Sequence, residues 1–399
     1  MVKWLEKTLG EVTAFIAKGI PPKYTEKENE NTIRVLNQKC NRNFEISYSK
    51  SRIHDCEKKK VPVDKMLRAG DVLINSTGTG TAGRVAQMVE VTVPTTIDGH
   101  MILIRPSEEL DPIYYGYAVK SFQSQIEGLA EGSTGQTEIN RRRLQDEVII
   151  RYPSDKLVQK NIGRFLANID EKIKTNKEIN RNLLEQAVSL FKEKIWSQEK
   201  NGTIGEYCSI KSGFAFKSSW WTDEGVKVIK IGDISQDNLS LETCSHVYED
   251  KVEKAKEYSV VAGDLVLAMT GATIGKFAMV SEINEPIFVN QRVGKFFLGN
   301  EPLKKVPFIY CTLKMDDVYS EVITRGQGSA QPNISGADIM TIPCVIPTQN
   351  EIDEFNSFAE PIFTQLAKNQ SESKKLALLR DSLLPKLMSG ELDVSDLDI

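Results

Sequence analysis

The sequence predicts an α+β protein in which two similar globular α/β domains are joined by two long helices that form an antiparallel coiled coil. Four blocks of the 399-residue chain recur in the same order at an offset of 192–195 residues, which indicates a tandem duplication with pseudo-two-fold symmetry. Each copy opens with short β-branched runs between glycines and prolines and closes with a long segment of helical periodicity. The predicted domains are a first globular domain (1–155), a central helix (156–200), a second globular domain (201–348) and a C-terminal helix with a tail (349–399).

The composition is that of a globular protein, with 40% hydrophobic and 27% charged residues. No run of about 18 apolar residues predicts a membrane span, and the N-terminus lacks the apolar stretch of a signal peptide. The six cysteines are scattered and form no C-x-x-C pair, which argues against a zinc site and favours the reducing cytoplasm. Since the net charge is −4, any phosphate-binding surface must be a local patch.

The first two repeated blocks predict the start and the centre of each globular domain. TLGEVTAFIAKGI (8–20) pairs with TIGEYCSIKSGF (203–214), and AGDVLINSTGTGTAGRV (69–85) pairs with AGDLVLAMTGATIGKF (262–277). Residues 78–83 have the G-x-G-x-x-G spacing of a dinucleotide-binding turn, but a β-rich run follows them where that turn needs a helix, and the second copy lacks the spacing. Both copies therefore predict a β-hairpin whose glycines take positive φ, followed by one base, Arg84 or Lys276.

The next repeated block predicts a short helix near the end of each domain. It pairs GSTGQTEINRRRLQDEVIIRYP (132–153) with GQGSAQPNISGADIMTIPCVIP (326–347), in which Asn140 and Ser335 can cap the helix. In the first copy, the three arginines 141–143 would lie in the first helical turn, where positive charge opposes the helix dipole. An external anion such as phosphate would explain their position.

Each copy ends in a helix with a heptad seam, and the two seams are related by an offset of 193 residues. The seam residues are Ile162, Leu166, Ile169, Ile173, Asn176, Leu183 and Leu190, and then Phe355, Ile362, Leu366, Asn369, Leu376 and Leu383. If the helices pair antiparallel, we expect Asn176 and Asn369 to meet where they cross. Pro361 is expected to bend or delay the second helix. The alternative to a coiled coil is that each helix packs only on its own domain.

Several motifs resemble those of the specificity (S) subunit of type I restriction–modification systems. They are KSGFAFKSS (211–219), VIKIGDI (228–234), AGDLVLAMTGATIGK (262–276), FVNQ (288–291), GSAQPNIS (328–335) and LLRDSLLPKLMSGEL (378–392), and the first copy matches more loosely. The resemblance implies a non-catalytic, cytoplasmic chain in which each globular domain is a target-recognition domain that reads one half of a split site in double-stranded DNA.

The same resemblance implies the partners. The helix pair would set the gap between the half-sites and dock two methyltransferase (modification) subunits, and restriction/translocase subunits would join them to cut unmodified DNA. S-adenosylmethionine, ATP and Mg²⁺ would be needed only by the partner subunits, so no cofactor, metal or catalytic residue is expected in this chain. A stand-alone bipartite DNA-binding protein and a two-headed protein scaffold are the alternative functions.

Base readout requires Arg or Lys for guanine and Asn or Gln for adenine, and phosphate contacts require basic or hydroxyl side chains. His100 and Arg292 are repeat partners that differ in chemistry, as expected if the two domains read different half-sites. For the glycine hairpins the alternative is a structural turn with a solvated base, and the pattern leaves the roles of Trp220 and Trp221 open. The candidate DNA-binding residues are Thr77, Thr79, Thr81, Arg84, His100, Gln136, Arg141, Arg142, Arg143, Lys217, Thr270, Thr273, Lys276, Gln291, Arg292 and Gln331.

Overall fold

The computed structural model describes residues 3–132, 137–327 and 332–392. Over these residues the chain forms two compact units. Unit 1 holds the chain up to Glu171 and from Leu376 onward, and unit 2 holds Lys172–Lys375. Each unit contains one globular part, which we call head 1 (residues 3–155) or head 2 (residues 197–348), together with part of each long helix.

Head 1 is built on two four-stranded sheets. Its strands are β1 (Trp4–Thr8), β2 (Thr13–Lys18), β3 (Tyr24–Thr25), β4 (Thr32–Leu36), β5 (Asn41–Arg42), β6 (Glu45–Ile46), β7 (Arg52–Asp55), β8 (Val72–Asn75), β9 (Val85–Gln87), β10 (Thr95–Ile97), β11 (Met101–Pro106), β12 (Ala130–Glu131), β13 (Glu138–Ile139) and β14 (Ile149–Pro153). Its helices are α1 (Pro112–Ser121), α2 (Gln123–Gly128) and α3 (Arg141–Glu147). The main sheets have the strand orders β2-β11-β8-β9 and β10-β4-β7-β3, and β1 pairs with β14.

The first long helix, α4 (Lys156–Phe191), ends in a turn of π-helix, Lys192–Trp196. The strands of head 2 are β15 (Gly202–Thr203), β16 (Ser209–Ser212), β17 (Trp221–Thr222), β18 (Val226–Ile229), β19 (Ile234–Ser235), β20 (Asn238–Leu239), β21 (Ser245–Val247), β22 (Ser259–Val260), β23 (Leu265–Ala268), β24 (Phe277–Met279), β25 (Ile287–Val289), β26 (Val293–Phe297) and β27 (Pro343–Cys344). The helices that follow α4 are α5 (Ile204–Tyr207), α6 (Pro302–Leu313), α7 (Asp316–Gly326), α8 (Gly336–Met340) and the second long helix, α9 (Gln349–Ser389).

The two heads share one topology, as the duplication predicts. The sheet orders of head 2 are β16-β26-β23-β24 and β17-β21-β18-β25-β22, and β15 pairs with β27. The first of these corresponds strand for strand to β2-β11-β8-β9, and the second corresponds to β3-β7-β4-β10 with β22 added at its edge. The predicted α+β class with two similar domains is confirmed.

The apolar runs form the centre of each head because both faces of the central sheet are covered. In β8, Val72 and Ile74 face one hydrophobic core, whereas Leu73 faces another. The equivalent strand β23 alternates in the same way between two cores of head 2. A strand with both faces buried has no polar face, which explains why these segments read as continuous apolar sequence.

The glycine-rich segments are β-hairpins, which confirms that prediction. Strands β8 and β9 pair antiparallel, and so do β23 and β24. Gly78, Gly80 and Gly83 have φ values of 110°, 68° and 87°, in the left-handed region where glycine is favoured. At Gly83 a Cβ atom would also lie 2.5 Å from the Glu127 backbone. A strand follows the last glycine, so these residues do not form the strand–turn–helix of a dinucleotide site.

Helices α4 and α9 run antiparallel, which the contacts show separately in each unit. In unit 1, Ile162 and Leu166 near the start of α4 share a core with Leu384 near the end of α9. In unit 2, the Phe191 ring near the end of α4 lies 5.2 Å from the Phe355 ring near the start of α9. Both cores also contain head residues, so the helices pack on the heads as well as on each other.

The remaining seam residues differ in burial. Ile169 and Ile173 are buried, whereas Leu183, Leu190, Ile362, Leu376 and Leu383 are half-buried. The burial of the seam residues thus varies along both helices. The seam packs partly against the other helix and partly against the heads.

The seam asparagines do not pair as expected. Asn369 Nδ2 donates to Asn180 Oδ1 (2.8 Å), and Asn176 Nδ2 donates to Glu372 Oε2 (2.7 Å) and Ser373 Oγ (3.3 Å). The prediction that Asn176 and Asn369 pair with each other was therefore wrong. The two pairs are equivalent under the 193-residue offset, because Asn176 corresponds to Asn369 and Asn180 corresponds to Ser373. Each asparagine therefore meets the repeat partner of a residue one helical turn away, and not its own repeat partner.

The expectation that Pro361 delays the second helix was also wrong, since α9 begins at Gln349. The cause is a capping box at Thr348. Its backbone N–H donates to Glu351 Oε2 (2.9 Å), while its side-chain oxygen accepts from the Glu351 N–H (3.4 Å). The helix is thus started before the proline, whose ring is exposed.

Candidate nucleic-acid interface

In head 1, three chain segments meet at one end of the sheet β2-β11-β8-β9. The hairpin loop between β8 and β9 brings Thr77–Arg84 to this end. The segment before α3 joins it, because the Ile139 N–H donates to the Ser76 carbonyl (2.8 Å). The turn before β11 joins it as well, because the Ser76 N–H donates to the His100 carbonyl (2.8 Å). The structure therefore brings together candidates that lie far apart in the sequence, such as Thr77 and Arg141, which are 64 residues apart.

The hydroxyl of Thr77 fixes the orientation of His100. Thr77 Oγ1 lies 2.9 Å from His100 Nδ1 and 3.3 Å from Gln38 Oε1. A hydroxyl has one hydrogen and an amide oxygen only accepts, so Thr77 donates to Gln38 and accepts from Nδ1–H of the imidazole. Nε2 of this exposed ring is then available as an acceptor when the ring is neutral and as a donor when it is protonated.

A buried carboxylate supports the same turn. Asp98 is 5% exposed, and its Oδ1 accepts from the His100 backbone N–H (2.9 Å). Burial raises the pKa of Asp98, although the His100 N–H and the charges of His100 and Arg52 oppose that rise. The Asp98 side chain therefore holds the turn that presents His100.

The basic candidates of head 1 differ in how strongly the head already binds them. Arg84 donates to the Gly80 carbonyl within its own loop (2.9 Å). Asn140 caps α3 as predicted, and the three arginines follow in the first turn. Arg143 is ion-paired with Glu131 and Glu147, and Arg142 lies 3.6 Å from Asp146. Arg141 forms no ion pair with any described residue, and its side chain is exposed.

Arg141 reaches the same end of the sheet as Thr77. Burial lowers the pKa of Lys18 at the end of β2, and the charge of Arg141 lowers it further, so the two cations are close together. Lys18 also forms an ion pair with Glu138, whose backbone bridges to Thr77. Since Glu138 pairs with Lys18, it is the Arg141 guanidinium that adds positive charge beside the hairpin, and this suits a phosphate contact.

Head 2 repeats the framework with other side chains. The Ile334 N–H donates to the Met269 carbonyl (2.9 Å), and the Met269 N–H donates to the Arg292 carbonyl (3.0 Å). These bonds are equivalent to the two made by Ser76, so Arg292 occupies the place of His100. The side chains of Arg292 and Gln291 are exposed, and Lys276 at the end of the loop is half-buried.

The hydroxyls of head 2 lack the partners that Thr77 has. Thr270 Oγ1 and Thr273 Oγ1 are buried and make no hydrogen bond within the described parts of the chain. Since the Thr77 hydroxyl lies between His100 and Gln38, the two hairpins share a backbone but differ in how their side chains are held.

The other candidates are less closely connected to the hairpins. Thr79 is exposed, and the Thr81 hydroxyl donates to the Thr77 carbonyl (3.4 Å). Lys217 Nζ lies 5.5 Å from the centre of the Trp220 ring, within an aromatic cluster of head 2. Gln136 and Gln331 lie outside the described residues.

Gln38, Lys18 and Asp98 support the interface and were not predicted from the sequence. Gln38 lies outside the four repeated blocks, so the internal repeat gave no signal for it. Asp98 could have been found, since its repeat partner Asn290 stands in the FVNQ motif.

The described residues contain neither a membrane-spanning helix nor a cluster of metal ligands. No described helix is long and apolar enough to cross a membrane. Over the same residues, no group of three or more His, Cys, Asp or Glu side chains could hold a metal ion. All six cysteines are thiols, and all but Cys56 are buried.

Comparison with known proteins gives consistent matches over nearly the whole chain. Residues 1–185 and again 197–373 match the family model described as type I restriction modification DNA specificity domain. The chain is similar to the type I restriction enzyme MjaVIII specificity subunit of Methanocaldococcus jannaschii, with 24% identity over 310 residues, covering 72% of each protein. It is also similar to the MjaIX specificity subunit of that organism, with 27% identity over 320 residues, covering 71% of this chain and 69% of the other.

A solved structure shows the same fold. The S subunit of a type I restriction–modification system from M. genitalium is 20% identical, and the match covers 97% of this chain and 96% of that one with a TM-score of 0.58. At this identity the likeness concerns the fold.

Proposed function

The chain belongs to the family of type I restriction–modification DNA specificity domains, and from this we infer that it is a non-catalytic DNA-recognition subunit whose two heads each read one half of a split site. Head 1 reads its half-site with the end of the sheet that carries Thr77, His100 and Arg141. Head 2 uses the equivalent end with Thr270, Lys276 and Arg292. The other candidate residues near these hairpins supply contacts to the DNA backbone.

One observation carries this proposal. The two heads hold the same loop, turn and helix-start segments together with equivalent backbone hydrogen bonds, yet place His100 in one head and Arg292 in the other. A constant frame with different polar side chains is what two related readers of different base sequences require. A purely structural hairpin gives no reason for an exposed cation at one position and a fixed imidazole at the other.

The helix pair α4–α9 supports the rest of the proposed assembly. It sets the gap between the half-sites and docks two methyltransferase subunits, which restriction/translocase subunits join. Exposed leucines on α9, Leu378 (60% exposed) and Leu379 (45% exposed), offer apolar surface for such docking. S-adenosylmethionine, ATP and Mg²⁺ serve the partner subunits, and the complex acts in the cytoplasm, where buried thiols persist in reduced form.

Selection from random duplex DNA tests the proposal. The full chain, assembled with its methyltransferase, is expected to enrich two short and different motifs separated by a fixed degenerate gap. A single contiguous motif would contradict the assignment of one half-site to each head. Absence of any enriched motif would reject DNA recognition and favour a protein scaffold.

A further inference from the structure

In head 1, an arginine lies over a tyrosine ring beside the proposed reading end. Arg52, the first residue of β7, places its guanidinium carbon 3.3 Å from the centre of the Tyr24 ring on β3. Its side chain is exposed, and it forms no ion pair with any residue in the described ranges. A guanidinium stacked on a ring keeps its planar set of donors in one orientation.

In head 2, a lysine lies over a tryptophan ring. Lys230 Nζ lies 3.6 Å from the centre of the Trp221 ring, and it donates one hydrogen bond to Ser245 Oγ (2.8 Å). An ammonium has three hydrogens, so donors remain after that bond is made. The side chain is half-buried and therefore reaches the surface.

Strand registers show that the two rings occupy the same place in the fold. Tyr24 pairs with His54 in head 1 and Trp221 pairs with Val247 in head 2, and His54 and Val247 are equivalent under the 193-residue offset. Both strand pairs belong to the equivalent sheets, in which β3 and β17 are the neighbouring edge strands that begin with Tyr24 and Trp221.

The cation comes from a different segment in each head, from strand β7 in head 1 and from the residue after β18 in head 2. Under the 193-residue offset, Arg52 is equivalent to Ser245, and Lys230 is equivalent to Asn37. The duplication has thus lost the cation at one position and gained it at another, while a cation above the ring is present in both heads. Core packing gives no reason for this exchange, because Arg52 is exposed and the other side chains concerned are only half-buried.

Both cations adjoin the proposed reading ends. In head 1, the Asp98 N–H donates to the Leu36 carbonyl (2.9 Å), and the Asp98 charge raises the pKa of Tyr24 in addition to the larger effect of burial. Asp98 in turn holds the turn of His100. In head 2, the Asn290 N–H donates to the Ile229 carbonyl (3.0 Å), directly before Lys230 and two residues from Arg292.

We propose that Arg52 and Lys230 are specificity residues that each read one guanine in the half-site of their own head, with Tyr24 and Trp221 as positioning residues. This inference rests on the proposed function and adds the base and the residues that read it. Arginine and lysine donate to guanine O6 and N7 in the major groove, where a side chain held in one orientation discriminates best. Trp221 thereby has a function that its sequence position left open.

Selection from random duplex DNA by the assembled complex tests the proposal with the variants Arg52→Met and Lys230→Met, which keep an unbranched side chain over the ring. Each variant is expected to lose about tenfold of the preference for guanine at one position of one half-site, and to leave the other half-site unchanged. Arg52→Lys, which keeps the charge without the planar donors, is expected to lose part of the same preference.

Matched controls lie on the neighbouring strands. Arg34 on β4 is bound to Glu28 (2.8 Å), and Lys227 on β18 is bound to Glu285 (2.6 Å), so Arg34→Met and Lys227→Met are expected to leave both motifs intact. Thermal unfolding confirms that each variant is folded.

The outcomes separate this inference from the proposed function. If the wild type enriches no motif, the proposed function fails and the inference falls with it. If the wild type enriches a split motif and the variants keep every base preference, the inference alone is wrong. A uniform loss of affinity with unchanged base preference would also overturn it, because that result identifies phosphate contacts.

Discussion

At the scale of single residues, the duplication supplies pairs of equivalent side chains in different surroundings. Thr77 and Thr270 open the two hairpins at equivalent positions, but the Thr77 hydroxyl has two partners and the Thr270 hydroxyl has none within the described residues. A buried polar group without a hydrogen bond destabilises the folded state, whereas a satisfied one stabilises it slightly. The same substitution should therefore have opposite effects in the two heads.

We expect Thr77→Val to lower the free energy of unfolding of unit 1 by about 1 kcal/mol, because it removes the bonds to Gln38 and His100. Thr270→Val should raise the free energy of unfolding of unit 2 by up to about 1 kcal/mol, because it removes an unsatisfied hydroxyl. Urea unfolding followed by hydrogen exchange in each unit measures both. Each variant is the control for the other, and changes of the same sign would contradict the explanation.

Lys120 on α1 is a second residue whose surroundings determine its behaviour. Its Nζ is buried, lies 4.3 Å from the centre of the Phe44 ring, and has no hydrogen-bond partner in the described part of the chain. Burial, followed by the charge of Arg380, lowers the pKa of Lys120 to about 8. The folded state therefore disfavours the protonated amine.

The lowered pKa predicts a pH dependence of stability. Between pH of about 8 and the ordinary lysine value near 10.5, the unfolded chain binds this proton and the folded chain does not, so the free energy of unfolding rises with pH. Lys120→Met should remove that rise and stabilise unit 1 at pH 7 by about 2 kcal/mol. Unfolding of the wild type and the variant at pH 7 and 9.5 measures the difference, with the exposed Lys60→Met as control. An equal pH dependence in wild type and Lys120→Met would reject this account.

The sequence predicted the hairpins and the helix caps, because glycine, asparagine and serine determine local backbone geometry. It did not predict which cations are already bound. Arg143 was a candidate, but it is ion-paired within head 1, whereas Arg52 was not a candidate and lies exposed over Tyr24. Ion pairs and stacking depend on residues brought together by the sheet register, and periodicity within one segment carries no information about them.

At the scale of elements, the heptad pattern predicted two long helices, and the asparagine pairing shows where such a pattern stops being sufficient. Asn176 and Asn369 are repeat partners in the seam, but they do not meet each other. Asn176 meets Ser373, and Asn369 meets Asn180. A seam identifies the residues that face the other helix, whereas the register between antiparallel helices depends on the packing at both ends.

The two seam asparagines should respond differently to the same change. Asn369 bridges Asn180 (2.8 Å) and Gln365 (2.7 Å), so Asn369→Leu removes the partner of Asn180 Oδ1 and of Gln365 Nε2 and should destabilise unit 2 by about 1 kcal/mol. Asn176 has a buried Oδ1 that no described residue satisfies, and removing it offsets the loss of the Nδ2 bonds to Glu372 and Ser373, so Asn176→Leu should destabilise unit 2 less than Asn369→Leu does. Denaturant unfolding of both variants checks this contrast. The double variant Asn180→Leu with Asn369→Leu should recover part of the loss, and no recovery would show that the pair is not coupled.

At the scale of the whole molecule, the internal repeat alone predicted two heads and two antiparallel helices, because a duplicated sequence folds into duplicated units. What the repeat could not give is the register of the two antiparallel helices. The polar layers now supply that register: Asn176 faces Ser373 and Asn180 faces Asn369. The segments 175–181 of α4 and 368–374 of α9 consequently lie opposite each other, and they are related by the 193-residue offset.

Deleting both segments removes one heptad from each helix and keeps the phase of the seam. Seven helical residues correspond to about 10 Å, which is about three base pairs of duplex DNA. If the helix pair sets the gap, the deletion variant should select the same two motifs with a gap about three base pairs shorter, and duplicating the same segments should lengthen the gap by a similar amount. Selection from random duplex DNA by the assembled complex measures both. Unchanged motifs with an unchanged gap would mean that the spacing comes from partner subunits and not from these helices.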